Sequence, residues 1–471
     1  MAEGMISNED RGRGETLRDV AEHYLFELAS KCMVEVKMDE KSTSNRFESC
    51  RLHDMIRELC LSKAKDEEFF KVVDKPMGVD DEPSTCKTSR LAIHLDERED
   101  DHIWKDQDLR SLLSVNNRRG RVKRCWNNLD LGMFKFLRIL ILEKHRFKNK
   151  KLPNGIGKLI LLKYLSIKDS EVDELPKSVC KLLCLQSLDL RVESDFTLPN
   201  SIHKLRHLKH LFVNNVLRSV IGGKKLKLDG LNELETLIGF RSDIDETTHL
   251  LKLRKLQVLD AVVTDDQSLP MIVDHIFNHQ DQFREVHLMI LSNINSEQDS
   301  SLLRKVFMCR SLSELSIGHV SKLPAYELEL GRNLIRLNLH SQCNIAKDPM
   351  AILEKLPMLR ELIFREDSYV GREMVCRAAG FPQLKKLMLW ELPNLEEWRV
   401  EEGAMPNLSF LDIHKCEKLE MIPDGLKSIT TLQELSITWM SKKFVDRIKV
   451  VNGEEGEDYH KIKHIPSLHI W

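Results

Sequence analysis

Leu408-Ser409-Phe410-Leu411-Asp412-Ile413-His414-Lys415-Cys416-Glu417-Lys418-Leu419 carries leucine or isoleucine at its first, fourth, sixth and twelfth places. Places four and six alternate with polar residues, which is strand period, so Leu411 and Ile413 share one face of a short extended segment. The same template, Leu-x-x-Leu-x-apolar, opens at Leu137, Leu162, Leu185 and Leu208, in steps of 25, 23 and 23 residues. It opens again at Leu312, Leu334, Leu359, Leu384, Leu408 and Leu432, in steps of 22, 25, 25, 24 and 24. It also opens at Leu256, Phe283 and Ile465, with degenerate copies at Leu109 and Leu234 and longer insertions near residues 260–311 and 440–464.

One such strand cannot bury its apolar face alone, so the copies must stack and share a leucine core. A period of two dozen residues with this template predicts an α/β chain built as a leucine-rich-repeat solenoid, a curved parallel sheet, over residues 106–471. Leucine–proline elements such as Leu175-Pro176, Leu198-Pro199 and Ile422-Pro423 follow several copies. Proline lacks an amide donor and suits an outer side where no ladder bond is needed. Cys416 and the pair Cys180 and Cys184 read as core thiols.

The places between the template leucines face the inner side of the sheet. There the candidates for protein binding are Tyr164, His210, Phe212, Arg336, Lys385, Trp390 and Phe410, with Trp439 just beyond a strand. Aromatic rings among charges are what a protein-binding patch is made of. The alternative is that the same rings pack between neighbouring repeats.

Composition narrows the function. The 471 residues hold 72 Lys+Arg against 74 Asp+Glu, a net charge of −2 that gives no global field for nucleic acid or an anionic membrane. No run of eighteen apolar residues occurs, the first residues are polar, and the 11 cysteines are odd in number and unpatterned. A cytoplasmic protein with reduced thiols is the expectation. Arg118-Arg119-Gly120-Arg121-Val122-Lys123-Arg124 reads as a solvated loop or a phosphate-contacting patch. His203, His207 and His210 straddle a loop-to-strand transition, and His275 and His279 lack partner ligands, so no metal is expected. The acidic run Glu454–Asp458 reads as a solvated insertion. No nucleophile motif or carboxylate pair stands out, and no enzymatic activity is expected.

Residues 1–75 leave the repeat. Asp19–Ala29 places Val20, Tyr24 and Leu28 on one helical stripe, Met33–Lys37 and Phe47–Leu52 read as two strands, and Asp54–Lys65 reads as a second helix bearing Met55, Ile56, Leu59 and Cys60. Helix, hairpin and helix form the skeleton of a small, mostly helical winged-helix module. Gly14-Glu15-Thr16-Leu17-Arg18-Asp19-Val20-Ala21-Glu22-His23-Tyr24-Leu25 resembles the winged-helix region of plant nucleotide-binding leucine-rich-repeat disease-resistance proteins. So does Cys50-Arg51-Leu52-His53-Asp54-Met55-Ile56-Arg57-Glu58-Leu59, where Leu52-His53-Asp54 resembles a variant of the family's Met-His-Asp triplet. Lys87-Thr88-Ser89-Arg90-Leu91-Ala92-Ile93-His94 resembles the family's junction into the repeats. The subgroup with an amino-terminal coiled coil fits best.

The resemblance implies three parts: residues 1–75 as a partial winged-helix domain of a nucleotide-binding switch, 76–105 as a junction, and 106–471 as repeats. It implies that His53, flanked by Leu52 and Asp54, contacts the phosphates of ADP within a complete nucleotide-binding domain. The alternative is a structural role for His53 near the second helix. No G-x-x-x-x-G-K-[ST] string occurs, so no cofactor is expected for this chain alone, and ADP/ATP is implied only for the intact family. The chain reads as a carboxy-terminal piece, from a truncated gene or a misplaced start. The implied role is in innate immunity. The repeats would bind a pathogen effector or a host target protein, associate with the nucleotide-binding domain of a related resistance protein, and restrain its switch. The alternative is a stand-alone leucine-rich-repeat adaptor or substrate receptor.

Overall fold

The computed structural model describes residues 17–38, 47–73, 89–93, 108–116, 130–214, 218–220, 222–291, 297–320, 322–324, 331–340, 345–451 and 453–471, with a few single residues besides. The basic run at 118–124 lies outside them. Two compact units divide the chain, the first ending at Leu259 and the second beginning at Asp260.

In the first unit, helix α1 (Leu17–Ser30) leads into strands β1 (Val34–Met38) and β2 (Phe47–Leu52), which pair antiparallel, and helix α2 (Asp54–Asp66) follows. Arg51 and Glu35 pair across the hairpin at 2.5 Å. The helical stripes form where the apolar spacing places them, yet they are barely covered. Among the described side chains of α1 only Val20 is buried, α2 buries no residue, and Tyr24, Phe26, Met55 and Leu59 are exposed.

Parallel strands then succeed one another at Lys71–Val73, Arg90–Ile93, Ser111–Val115, Ile139–Glu143, Tyr164–Ser166, Ser187–Leu190, His210–Val213 and Thr236–Arg241. The ladder therefore takes in strands at residues 71–73 and 90–93, upstream of the first template leucine. The second unit repeats the pattern at Glu285–Ile290, Leu312–Ile317, Arg336–Leu339, Glu361–Phe364, Lys386–Trp390, Phe410–His414, Glu434–Thr438 and Ser467–Ile470.

Template leucines such as Leu137, Leu140, Leu142, Leu384, Leu387 and Leu389 are fully buried and form the core. The leucine–proline elements become single 3-10 turns, with Pro176, Pro199 and Pro423 immediately before them. Helices Ser268–Asn278 and Glu297–Met308 account for the insertion at 260–311, joined by Lys305 and Asp274 at 2.7 Å.

Two readings need correction. The copy opening at Phe283 is out of phase by two residues. Val286 pairs with Leu312 and, after a register shift, His287 with Glu314 and Leu288 with Leu315, so the fourth place of the template falls to Leu288 and not to Val286. The long helical insertion resets the register there. Cys184 is exposed, although Cys180 is buried, because it belongs to the turn ahead of its strand.

In three copies the residue at place nine ties its strand to the copy before it. The Ser170 hydroxyl donates to the Leu142 carbonyl at 3.0 Å and accepts from the His145 amide at 2.9 Å. Cys416 Sγ donates to the Leu389 carbonyl at 3.4 Å, and burial pushes this thiol up to about 12, leaving it inert. At the same place His145 is buried, with Nε2 3.0 Å from Ser114 Oγ, and burial holds its imidazole down at about 4. An unfolded histidine takes up its proton below about 6.5, while the folded one does not. Stability is therefore expected to fall as pH drops from about 6.5 toward 4, by up to roughly 3 kcal/mol from this group. His145→Asn should flatten that slope in urea midpoints measured at pH 4.5 and 7.5, and an unchanged slope would refute the assignment.

Candidate inner-face recognition site

Strand alternation in the second unit sends one set of side chains to the core and leaves the other set half-buried on the opposite face. Parallel register then stacks equivalent places into rows. The third-place row reads Glu314, Arg336, Glu361, Lys386, Phe410, Glu434 and Ser467.

Arg336 is spent inside this row. Its Nη1 donates to Glu314 at 3.3 Å and its Nε to Glu361 at 2.8 Å, with Nη2 also bonded to Glu361. Burial acts against its charge, but the two carboxylates outweigh burial and raise its pKa. His287 extends the pattern, with Nε2 3.1 Å from Glu285 and Nδ1 3.9 Å from Asp260. Burial opposes its charge too, and Asp260, Glu285 and Glu314 together lift it to about 10. The stability this ion contributes is complete below about 6.5 and is lost as pH rises through about 10.

The seventh-place row is different. Arg365, Trp390, His414 and Thr438 follow one another at the strand ends. The Arg365 guanidinium lies 4.5 Å over the Trp390 ring, the His414 ring meets that indole edge-on at 6.2 Å, and His414 Nδ1 is 2.7 Å from Thr438 Oγ1. Trp390 Nε1 donates to Asp412 Oδ2 at 2.8 Å, whereas Asp412 Oδ1 is buried with no hydrogen-bond partner among the described residues. Phe410 stands half-buried between Lys386 and Glu434. Trp439 follows with a left-handed backbone, φ 58°, and 75% of its surface exposed. Lys385 lies one residue ahead of its strand; its side chain is exposed, and its carbonyl accepts from Phe410.

The structure thus gathers Trp390 and Phe410 on one set of adjacent strands and places Trp439 at its rim. Sequence reasoning missed Arg365, Asp412 and His414; stepping one repeat from Trp390 finds Arg365 and His414, while Asp412 lies two places before His414.

Tyr164, His210 and Phe212 belong to the first unit. Burial, with the charges of Asp189 and Glu143, pushes the Tyr164 phenol up to about 12. His210 Nδ1 is 3.1 Å from Thr236 Oγ1, and Arg191 lies 5.0 Å over the Phe212 ring. His203 Nδ1 meets the Asn200 carbonyl oxygen at 2.7 Å, away from His210. His53 sits exposed at the start of α2, with exposed Leu52 and Asp54 on either side and no side-chain capping bond. One exposed imidazole beside a helix terminus can offer a single donor to a phosphate. Among the described residues, no group of three or more His, Cys, Asp or Glu could hold a metal ion, and no helix is long and apolar enough to cross a membrane.

A stacked parallel sheet carrying its aromatic and charged side chains in rows defines a repeat protein whose surface serves protein–protein interaction. Residues 109–420 match the family profile described as a leucine-rich repeat region, and residues 1–60 match a disease resistance protein winged helix domain. An RPP8-like disease resistance protein of Arabidopsis thaliana is 34% identical over 476 residues, covering 99% of this chain and 50% of that protein. The inactive disease susceptibility protein LOV1 of the same plant is 37% identical over 487 residues, with 99% and 50% coverage. A leucine-rich-repeat protein of Leptospira interrogans shares the fold at a TM-score of 0.51 and 19% identity, over 87% of this chain and 98% of its own. The chain belongs to the leucine-rich-repeat family of plant disease-resistance proteins. It spans about half the length of the curated relatives it matches.

Proposed function

We propose that the inner face around Trp390 recognises a protein, a pathogen effector or a host target, as the sensing step of a cytoplasmic defence response, and performs no chemistry itself. The observation that carries this is a half-exposed indole, clamped between Arg365 and Asp412, with half-buried Phe410 on the adjacent strand and Trp439 exposed at the rim. A partner whose apolar atoms cover these three rings removes them from water. Restraint of an ADP/ATP switch, through the nucleotide-binding domain of a related resistance protein, extends this reading to the full length of the relatives.

The test is co-precipitation of the whole chain with a panel of pathogen effectors and with that nucleotide-binding domain, the latter with and without ADP. Trp439→Ala and Trp390→Ala are expected to weaken a detected complex about tenfold or more, since buried interface tryptophans commonly contribute above about 1.4 kcal/mol. Trp439→Ala should leave the thermal midpoint nearly unchanged, because three quarters of the side chain is already in water. Equal binding by both variants, or no complex with any partner, would remove the reading.

A further inference from the structure

The first unit exposes large apolar side chains at one fixed offset in three successive copies. The two residues ahead of each template leucine are Lys135-Phe136, Ile160-Leu161 and Leu183-Cys184, and all six are exposed. Phe136 is 50% exposed, Ile160 63%, Leu161 37% and Leu183 59%. They occupy the same turn each time: the amides of Lys135, Ile160 and Leu183 donate to the carbonyls of Met133, Lys158 and Lys181 at 3.1, 2.9 and 3.0 Å. The strands that follow pair in parallel, so these turns stack about 4.8 Å apart. The outcome is one apolar ridge along an edge of the sheet. In the next copy the offset is taken by exposed Arg206 and His207, so the ridge ends there.

Cations border the ridge on both sides. Lys158, Lys181 and Lys204, each 23 residues apart and all exposed, line one side. Arg138, Lys163 and Lys209 line the other. Asp130 engages Lys158 at 3.3 Å and Glu235 engages Lys209 at 3.1 Å; Arg138, Lys163, Lys181 and Lys204 have no carboxylate within 4 Å among the described residues. A chain that is neutral overall thus concentrates unbalanced positive charge around exposed apolar surface.

We infer that this edge docks an acidic amphipathic helix of a partner protein. The repeat spacing of about 4.8 Å lies close to the 5.4 Å pitch of an α-helix, so apolar anchors at i, i+4 and i+7 fall against Phe136, Ile160 with Leu161, and Leu183 in turn. Carboxylates on the flanks of such a helix meet the two lysine-rich columns. This surface is separate from the inner face around Trp390, and its test does not depend on that face.

The probe is a synthetic eighteen-residue helix bearing leucine at i, i+4, i+7 and i+11 and glutamate at the flanking positions, titrated onto the whole chain by fluorescence anisotropy. A scrambled peptide of the same composition and vesicles with about 30% phosphatidylserine run in parallel. Saturable binding of the helix is expected, with the scrambled peptide at least tenfold weaker. Ile160→Ser with Leu183→Ser should cost tenfold or more, and so should Lys181→Glu with Lys204→Glu, whose effect should shrink as salt is raised. Exposed side chains are replaced in each case, so an unchanged far-ultraviolet spectrum and thermal midpoint certify the fold. Equal affinity for the scrambled peptide, indifference to both double variants, or binding to vesicles in place of the peptide would overturn the inference.

Discussion

Arg336→Ala is expected to destabilise the second unit by about 3–5 kcal/mol, far more than an exposed arginine would cost. The side chain lies between Glu314 and Glu361 on the two neighbouring strands and bonds to both. Removing it leaves two mostly buried carboxylates facing each other with no cation between them, and His287 alone remains near Glu314. The measurement is a urea titration of the whole chain followed by hydrogen exchange in strands 312–317, 336–339 and 361–364. If the arginine acts as a clip, Arg336→Met combined with Glu361→Leu should recover part of the loss, because a matched apolar pair removes one of the two stranded charges. If Arg336 instead contacts the recognised protein, Arg336→Ala will weaken binding with little change in exchange protection, and the clip assignment fails.

This distinction shows what the sequence could disclose. The stacked sheet was readable because the template leucines depend on spacing alone: those that keep phase are buried, except in the last copy, where Leu468 and Ile470 are half-buried. Phase was lost at Phe283, where helices Ser268–Asn278 and Glu297–Met308 replace the short turns and, across a register shift, Leu288 takes the fourth place. The inner face was readable in outline and misjudged in energy. Arg336 does lie on it, but a residue's availability depends on its lateral neighbours. Those stand one repeat away, at 314 and 361, and both are glutamates. Trp390 illustrates the converse. Its clamp is built from Arg365 and Asp412, two side chains that look unremarkable in their own segments and meet only when the strands stack. Reading each place as a row across copies, in addition to a position along one copy, recovers the Arg336 pairing and the Arg365–Trp390 contact from the letters alone; Asp412 stands in another row. The amino-terminal module shows another limit: the helices form as their apolar stripes foretell, yet amphipathicity says nothing of what covers Met55 and Leu59.

Asp458→Asn is the second substitution expected to have a large effect, about 3–5 kcal/mol, confined to the last copies. The acidic run Glu454–Asp458 is solvated only in part. Glu454 and Glu455 are exposed, but Asp458 is buried, bonded to Arg447 Nε at 2.6 Å and to Lys461 Nζ at 2.8 Å. Lys461 is buried too, and its Nζ also reaches Asp424 at 2.7 Å and the Ile422 carbonyl at 3.0 Å. One carboxylate therefore ties helix Lys442–Ile448, through Arg447, to the turn Asp424–Ser428, through Lys461. Burial alone would raise the Asp458 pKa, and the two cations outweigh it, so the carboxyl is held below its ordinary range. Its contribution is present above the ordinary aspartate range and is lost as pH falls below it. The amide of an asparagine keeps the shape but strands the Lys461 ammonium with an exposed carboxylate and one carbonyl. Amides of residues 442–465 should lose exchange protection in the variant, while those in strands 139–143 and 187–190 keep theirs, because each repeat is held chiefly by its neighbours. Asp424→Asn, which removes the solvent-exposed partner of Lys461, should cost less than about 1 kcal/mol. Equal losses from the two substitutions would mean that burial of Asp458 contributes nothing, and unaltered protection in both would remove the network as the fastening of these copies.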